Sequence, residues 1–377
     1  RVNLNRLRAA GLDSRSYGKL LGEYLLGDAA IQSAFRQAYT TAQSLEVPLR
    51  VRLFIGPSAP ELHHLRWETL CDPQDHTPLL TNENILFSRY LSSLDWRPVH
   101  LRARGELRAL VVVANPSDLS DYMPGGRPLA PIDVTGELER AEASLEEIPM
   151  TGLASAGSAS LETICERLRD GYDIFYLVCH GALINGEPKL WLEDESGKSA
   201  IVSGGELVTR LRELQQRPSV VVLASCQSAG SGSESSSSDG GVLTALGPQL
   251  AEAGIPAVLA MQGNVTMTTL VGFMPTFFKE LRRDGQIDRA IAAARGRIRD
   301  RPDWWAPVLF MRLRTGRIWY VPGFADDRQG FERWPAILRC VRQGRCTPIL
   351  GPGLLEFLLG SSREIAQRWA ETYHFPM

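Results

Sequence analysis

The spacing of apolar and polar positions changes its rhythm along the chain. Up to residue 45 apolar residues recur at helical intervals, with Leu20, Leu21, Tyr24, Leu25 and Leu26 on one face near Ala29 and Ile31. Leu49–Ile55 then alternates as a strand does, stopping at Gly56-Pro57. Residues 61–70 predict a short helix that carries His63 and His64 on its face, and Leu86–Leu91 predicts a further strand.

From residue 108 the pattern becomes one of nearly continuous apolar runs, Arg108–Ala114, Ile174–Cys179, Ser219–Ala224 and 256–261. Such runs mark parallel strands covered on both faces. Helical patterns fall between or after them, at 133–147, 160–169, 205–215, 243–253, 267–283 and 286–299. A Gly/Pro-rich loop spans 116–131, and a hairpin has arms Leu190–Leu192 and Ser199–Val202 about the turn Asp194–Gly197. Buried strands alternating with helices predict an α/β fold, a mostly parallel sheet flanked by helices behind an N-terminal α+β subdomain. Residues 228–241, almost all Ser and Gly, are too long for an ordinary strand-to-helix connection and predict a mobile loop.

Composition narrows the function classes. The 377 residues suffice for two domains, or one large domain with an appendage. Lys plus Arg is 41 and Asp plus Glu is 43, a net charge of -2. That balance excludes a nucleic-acid binder relying on bulk positive charge. There is no apolar run long enough for a transmembrane helix, so no membrane partner is expected. Arg1–Arg6 has no apolar core of a signal peptide, and with no initiator Met the chain reads as a fragment. The six cysteines, Cys71, Cys165, Cys179, Cys226, Cys340 and Cys346, form neither a dense disulfide framework nor paired zinc knuckles. A cytoplasmic location and no metal site are the expectation; Cys340 with Cys346, and His63 with His64, lack further ligands at recognisable spacing.

Ligand chemistry in an open parallel sheet sits at the carboxyl ends of the strands. His180 closes the second buried strand and Cys226 the third. If these strands are neighbours, both tips meet at one edge. A cysteine at its ordinary pKa of ~8.5 is mostly thiol at neutral pH, and a nearby imidazole can take its proton and later deliver one to a leaving amine. Gly181 suits an oxyanion hole, because a residue without Cβ lets its N–H approach a carbonyl oxygen; the N–H of Cys226 is the natural second donor. Spacing alone leaves a second possibility open, an inert buried thiol and a structural histidine. Cys179 precedes His180 on the strand, so its side chain faces the other way and belongs to the core.

Several segments resemble the CHAT domain, a caspase-like peptidase family of bacteria. Tyr172–Gly181 and Val221–Ala229 resemble its histidine and cysteine strands. Ala251–Gln262, Ala290–Arg295, Glu61–Asp72 and Trp304–Val308 are similar to four further stretches, in the family's order. The resemblance covers residues 45–320. It implies a caspase-like fold, with residues 1–105 as its N-terminal α+β part and 106–325 as the catalytic domain. It implies a cysteine endopeptidase in which His180 is general base and acid, Cys226 the nucleophile, and the Gly181 and Cys226 amides the oxyanion donors. No cofactor is required. One departure is Asn264, where the family often has Asp. The segment from Asn115 to Asp133, together with Ser225, would line the specificity pocket. Asp133 is either a pocket carboxylate or the N-cap of the following helix, and Asp173 is a structural turn residue.

Residues 331–377 depart from this pattern. Cys346–Leu355 resembles the first strand and glycine turn of a SIR2-like, NAD-handling domain, and 363–373 its next helix. Pro352 removes an N–H that could meet a phosphate, and so short a tail makes no complete NAD site. NAD would enter only if a complete domain follows. The resemblance implies a regulated endopeptidase that cleaves a partner protein, such as a gasdermin-like pore former, in anti-phage defence or cell death. The alternatives are a non-catalytic module gating a SIR2-like effector, and an NAD-consuming enzyme whose catalytic part lies beyond residue 377. Assembly into an oligomer is left open.

Overall fold

The computed structural model describes residues 3–56, 59–90, 99, 101–124, 126, 128–154, 156–224, 242–262, 265–320, 341–344 and 362–373. The chain divides into two compact units, Arg1–Tyr320 and Val321–Met377. In the second, the described helix Ser362–Tyr373 falls on the helical pattern at 363–373. The strand and Gly351-Pro352-Gly353 turn expected before it, and the helix expected around Ile337–Cys340, lie outside the described residues.

The first unit is built on an eight-stranded sheet. In chain order its strands are β1 (Leu49–Phe54), β2 (Ile85–Tyr90), β4 (Ala109–Val113), β5 (Met150–Ala154), β6 (Ile174–Val178), β10 (Val220–Ala224), β11 (Ala257–Met261) and β12 (Pro307–Met311). The short β3 (Arg102–Ala103) and β13 (Trp319–Tyr320) pair with each other outside it. Across the sheet the order is β1-β2-β12-β11-β10-β6-β4-β5. Every pairing is parallel except β11 with β12. Each residue of β4, β6, β10, β11 and β12 is buried, because helices cover both faces. These helices include α4 (Val134–Leu145), α5 (Leu161–Leu168), α6 (Gly204–Glu213), α7 (Val242–Glu252), α8 (Met267–Asp284) and α9 (Ile287–Arg297).

The helices α1 (Leu4–Ala9), α2 (Ser14–Leu26) and α3 (Ala29–Ser44) precede the sheet. They pack with β1 and β2 around a separate apolar cluster that includes Leu7, Leu21, Trp67, Leu80 and Phe87. The N-terminal part thus has its own core. Its strands nevertheless continue the same eight-stranded sheet through the β2–β12 pairing.

Two local expectations differ from the structure, and one strand has no counterpart among the expectations. Residues 61–70 form no α-helix but two 3₁₀ turns, Pro60–His64 and Trp67–Thr69. Carbonyls needed for a helical ladder are taken by side chains: Leu62 O accepts from Trp67 Nε1, and His63 O and Leu65 O accept from Arg89. The hairpin is three-stranded, β7 (His180–Ile184), β8 (Glu187–Glu193) and β9 (Ser199–Ser203), so the chain re-enters a strand immediately after β6. Edge strand β5, Met-Thr-Gly-Leu-Ala, lacks the apolar run that marks the central strands.

α2 lies directly on the 69–71 segment. A Cβ on Gly18 would stand 1.9 Å from Thr69 O, and one on Gly22 would stand 2.2 Å from Cys71 O. Gly18 O accepts the Cys71 N–H at 3.2 Å in the same contact. Gly18→Ala is expected to lower unfolding stability by about 1–3 kcal/mol, since backbone must move aside. Gly205→Ala, in the open first turn of α6 with only Ser203 Oγ within 4.0 Å, should cost nothing. Denaturant titrations of the two variants test this contrast.

Candidate active site

β6 and β10 are adjacent, parallel and in register, with Val178 opposite Ala224 on their last shared rung. Both strands end at the same edge. His180 lies two residues beyond that rung on one strand, and position 226 two residues beyond it on the other. Cys226, Ser225 and the Ser/Gly segment 228–241 lie outside the described residues.

His180 opens β7 and pairs across the hairpin with Trp191. It is buried, at 4% exposure. Residues directly opposite in an antiparallel pair share a face. The face holding His180 and Ala182 is accordingly packed by Trp191, Leu119, Tyr122 and Leu129, with the Tyr122 ring edge-on to the indole at 6.0 Å. His180 Nε2 donates to Ala130 O at 2.7 Å. A carbonyl oxygen only accepts, so Nε2 carries the hydrogen, and Nδ1 is the basic nitrogen of the neutral ring. In a neutral ring that tautomer presents Nδ1 as the accepting nitrogen, the arrangement a general base requires.

Gly181 is buried in β7 opposite Leu190. Asp133 caps α4: its carboxylate accepts the Gly136 N–H at 3.1 Å, lies 3.7 Å from Arg140, and is 69% exposed. The structure thus uses this carboxylate at a helix terminus, three residues after the carbonyl that holds His180. Asp173 sits at the opposite end of β6, where it accepts the Arg108 N–H at 3.0 Å and pairs with Arg102 at 2.9 Å. Burial raises its pKa. His63 is buried rather than on an open face, and packs on the Phe310 ring.

Cys179 is 2% exposed in the main core, and burial pushes its thiol up to about 12. Cys71 is raised to about 11 and Cys165 is raised as well, both chiefly by desolvation. Burial and the raised pKa values disfavour the reactive thiolate in all three at neutral pH. A cavity of about 980 Å³ opens at the amino edge of the sheet, lined by Arg102, Asp173, Arg217 and Arg312 among others. Among the described residues it is lined by neither His180, Gly181 nor Asp133. Among the described residues no cluster of three His, Cys, Asp or Glu side chains could hold a metal ion, and no helix is long and apolar enough to cross a membrane.

Residues 17–313 match the CHAT domain. The chain belongs to the CHAT domain family. All six stretches singled out in the sequence fall within that span, and the CHAT match begins earlier than they suggest, at α2. Residues 331–377 lie outside it. Among solved structures, this CHAT chain is similar to the "Complex of Porphyromonas gingivalis RgpB pro- and mature domains", at 11% identity and a TM-score of 0.43, over 80% of this chain and 72% of that one. No curated protein matches the chain.

Sequence reasoning missed the Ala130 carbonyl and the buried carboxylate of Glu193. A backbone acceptor leaves no trace in residue type. The acid ending the apolar run Leu190-Trp191-Leu192 was the available signal for the second.

Proposed function

We propose that this CHAT domain is a cysteine endopeptidase, with Cys226 as nucleophile and His180 as general base and acid. The observation that carries the proposal is the environment of His180. Its Nε2 is committed to Ala130 O, and it stands two residues beyond the end of β6, the strand in register with the one leading to Cys226. His180 Nδ1 takes the Cys226 thiol proton, and the sulfur attacks the scissile carbonyl carbon. Negative charge gathers on the carbonyl oxygen, for which the Gly181 and Cys226 amides are the donors. The C–N bond then breaks, and the imidazolium delivers its proton to the leaving amine. A thioester remains. Water attacks it, losing a proton to His180, and releases the acid and the thiol.

This chemistry needs no metal or cofactor. Its substrate is a protein or peptide, and a gasdermin-like pore former cleaved in bacterial anti-phage defence is the reading we favour. NAD has no role in the peptidase, and would matter only to a complete SIR2-like domain.

An electrophilic peptide probe tests the proposal. Labelling should fall on Cys226 and disappear in both Cys226→Ala and His180→Ala. Cys71, Cys165 and Cys179 should remain unmodified in the native fold at pH 7, given their burial and raised pKa values. A chain that stays unlabelled, with its candidate activators present as well, is a binding module and not a peptidase.

A further inference from the structure

The carbonyl that holds His180 belongs to a connection running from β4 to α4. What fixes that connection is a buried clamp. Glu193, the last residue of β8, is 1% exposed. One carboxylate oxygen accepts the Asn115 N–H at 3.0 Å, and the other accepts the Gly157 N–H at 2.8 Å and the Ala159 N–H at 3.5 Å. A buried carboxylate is costly unless such donors satisfy it. Asn115, just past β4, in turn uses its side chain: Oδ1 accepts the Ile132 N–H at 2.8 Å. The connection is therefore pinned at its start and at its end, and Ala130 lies two residues before the second pin. The circuit closes through the hairpin, because His180 pairs with Trp191 and Glu193 stands two residues further along the same strand.

We infer that Asn115 and Glu193 are positioning residues for the candidate base, acting on His180 through the Ala130 carbonyl. The inference rests on the peptidase reading for its catalytic consequence, but not for its effect on the imidazole. Removing the Asn115 side chain frees the Ile132 N–H, lets Ala130 O drift, and releases the constraint that keeps the hydrogen on Nε2. An imidazole protonated at Nδ1 instead cannot accept the thiol proton there.

The test reads the ring directly. In the full chain carrying Cys226→Ala, no thiolate can draw a second proton onto His180. Histidine-selective ¹⁵N correlation spectra of that chain at pH 8 should give a single Nε2–H tautomer, assigned by its loss in His180→Gln. Asn115→Ala should give a mixture of tautomers, and Asn115→Asp, which keeps the Oδ1 acceptor, should restore one. In the Cys226-intact chain, Asn115→Ala should lower kcat about 10–100-fold, by analogy with the loss when groups orienting a metal-ligating histidine are removed, with KM nearly unchanged. Glu193→Gln, which turns an NH₂ toward one of the amides, should move the tautomer in the same direction and serves if Asn115→Ala does not fold. Should both variants keep the Nε2–H tautomer while losing only thermal stability, the clamp serves the fold and the inference is overturned. If the tautomer shifts but no chain cleaves a peptide, the positioning role stands and the peptidase reading falls.

Discussion

Glu68→Ala is expected to cost about 3–5 kcal/mol, the range for leaving one partner of a buried ion pair uncompensated. Arg89 is fully buried in β2 and directs its guanidinium at five acceptors. Glu68 takes Nε at 3.1 Å and Nη2 at 2.5 Å, Leu65 O and Gln262 Oε1 accept at 3.1 and 2.7 Å, and His63 O accepts from Nη1 at 2.5 Å. Gln262, just past β11, donates its amide to His64 O at 2.9 Å. One arginine thus ties the 3₁₀ segment and the N-terminal core to the centre of the sheet. Without Glu68 the charge has carbonyls but no counter-ion, and water cannot reach it. Glu68→Gln should cost less than Glu68→Ala, because it keeps the shape and one acceptor. Paired removal with Arg89→Met should recover part of the loss, since two apolar groups leave no buried charge. Urea titrations of the three variants decide the matter, and equal losses in all three would refute the counter-ion argument.

The same node sets an acid limit. His63 is pressed between Arg89 and Phe310, and burial first, then the arginine charge, holds its pKa down at about 4. Its Nδ1 has no hydrogen-bond partner. The unfolded chain gains a proton on this ring near pH 6.5, while the folded chain does not until about 4. Stability is therefore lost as pH falls through that window. His63→Phe should flatten the melting temperature between those limits.

That node also separates what the chain discloses from what it conceals. Val111, Tyr176, Val222 and Leu259 sit in apolar runs, and the structure puts each in a central strand. Run length and burial are local properties. Arg89 occupies an ordinary polar place in the pattern Leu86-Phe87-Ser88-Arg89-Tyr90, which predicts exposure. Its burial depends on Gln262, 173 residues away, and no local rhythm carries that. The reversed direction of β12 is hidden for the same reason, because a short apolar strand reads alike both ways. That His180 falls near the carboxyl end of β6 was legible, since strand ends follow from where apolar runs stop, but its place as the first residue of β7 was not. What holds the ring was not, because Ala130 acts through its backbone and Glu193 looks like any acid before a turn.

His180→Ala is expected to reduce peptide hydrolysis by about 10³-fold or more, with the general-base and general-acid steps lost together. At neutral pH a thiol of ordinary pKa is only a few per cent thiolate, so the variant keeps a small reactive fraction and no donor for the leaving amine. Two signatures separate this from general damage. In the variant, alkylation of Cys226 should rise with pH as for an unassisted thiol near 8.5, whereas the parent should react at lower pH. The losses should also be strongly non-additive. Cys226→Ala removes the atom on which His180 acts, so the double variant should be no slower than Cys226→Ala alone. Losses that multiplied would mean the two residues act independently. The register of Val178 with Ala224 would then be a property of the sheet and not of a catalytic pair.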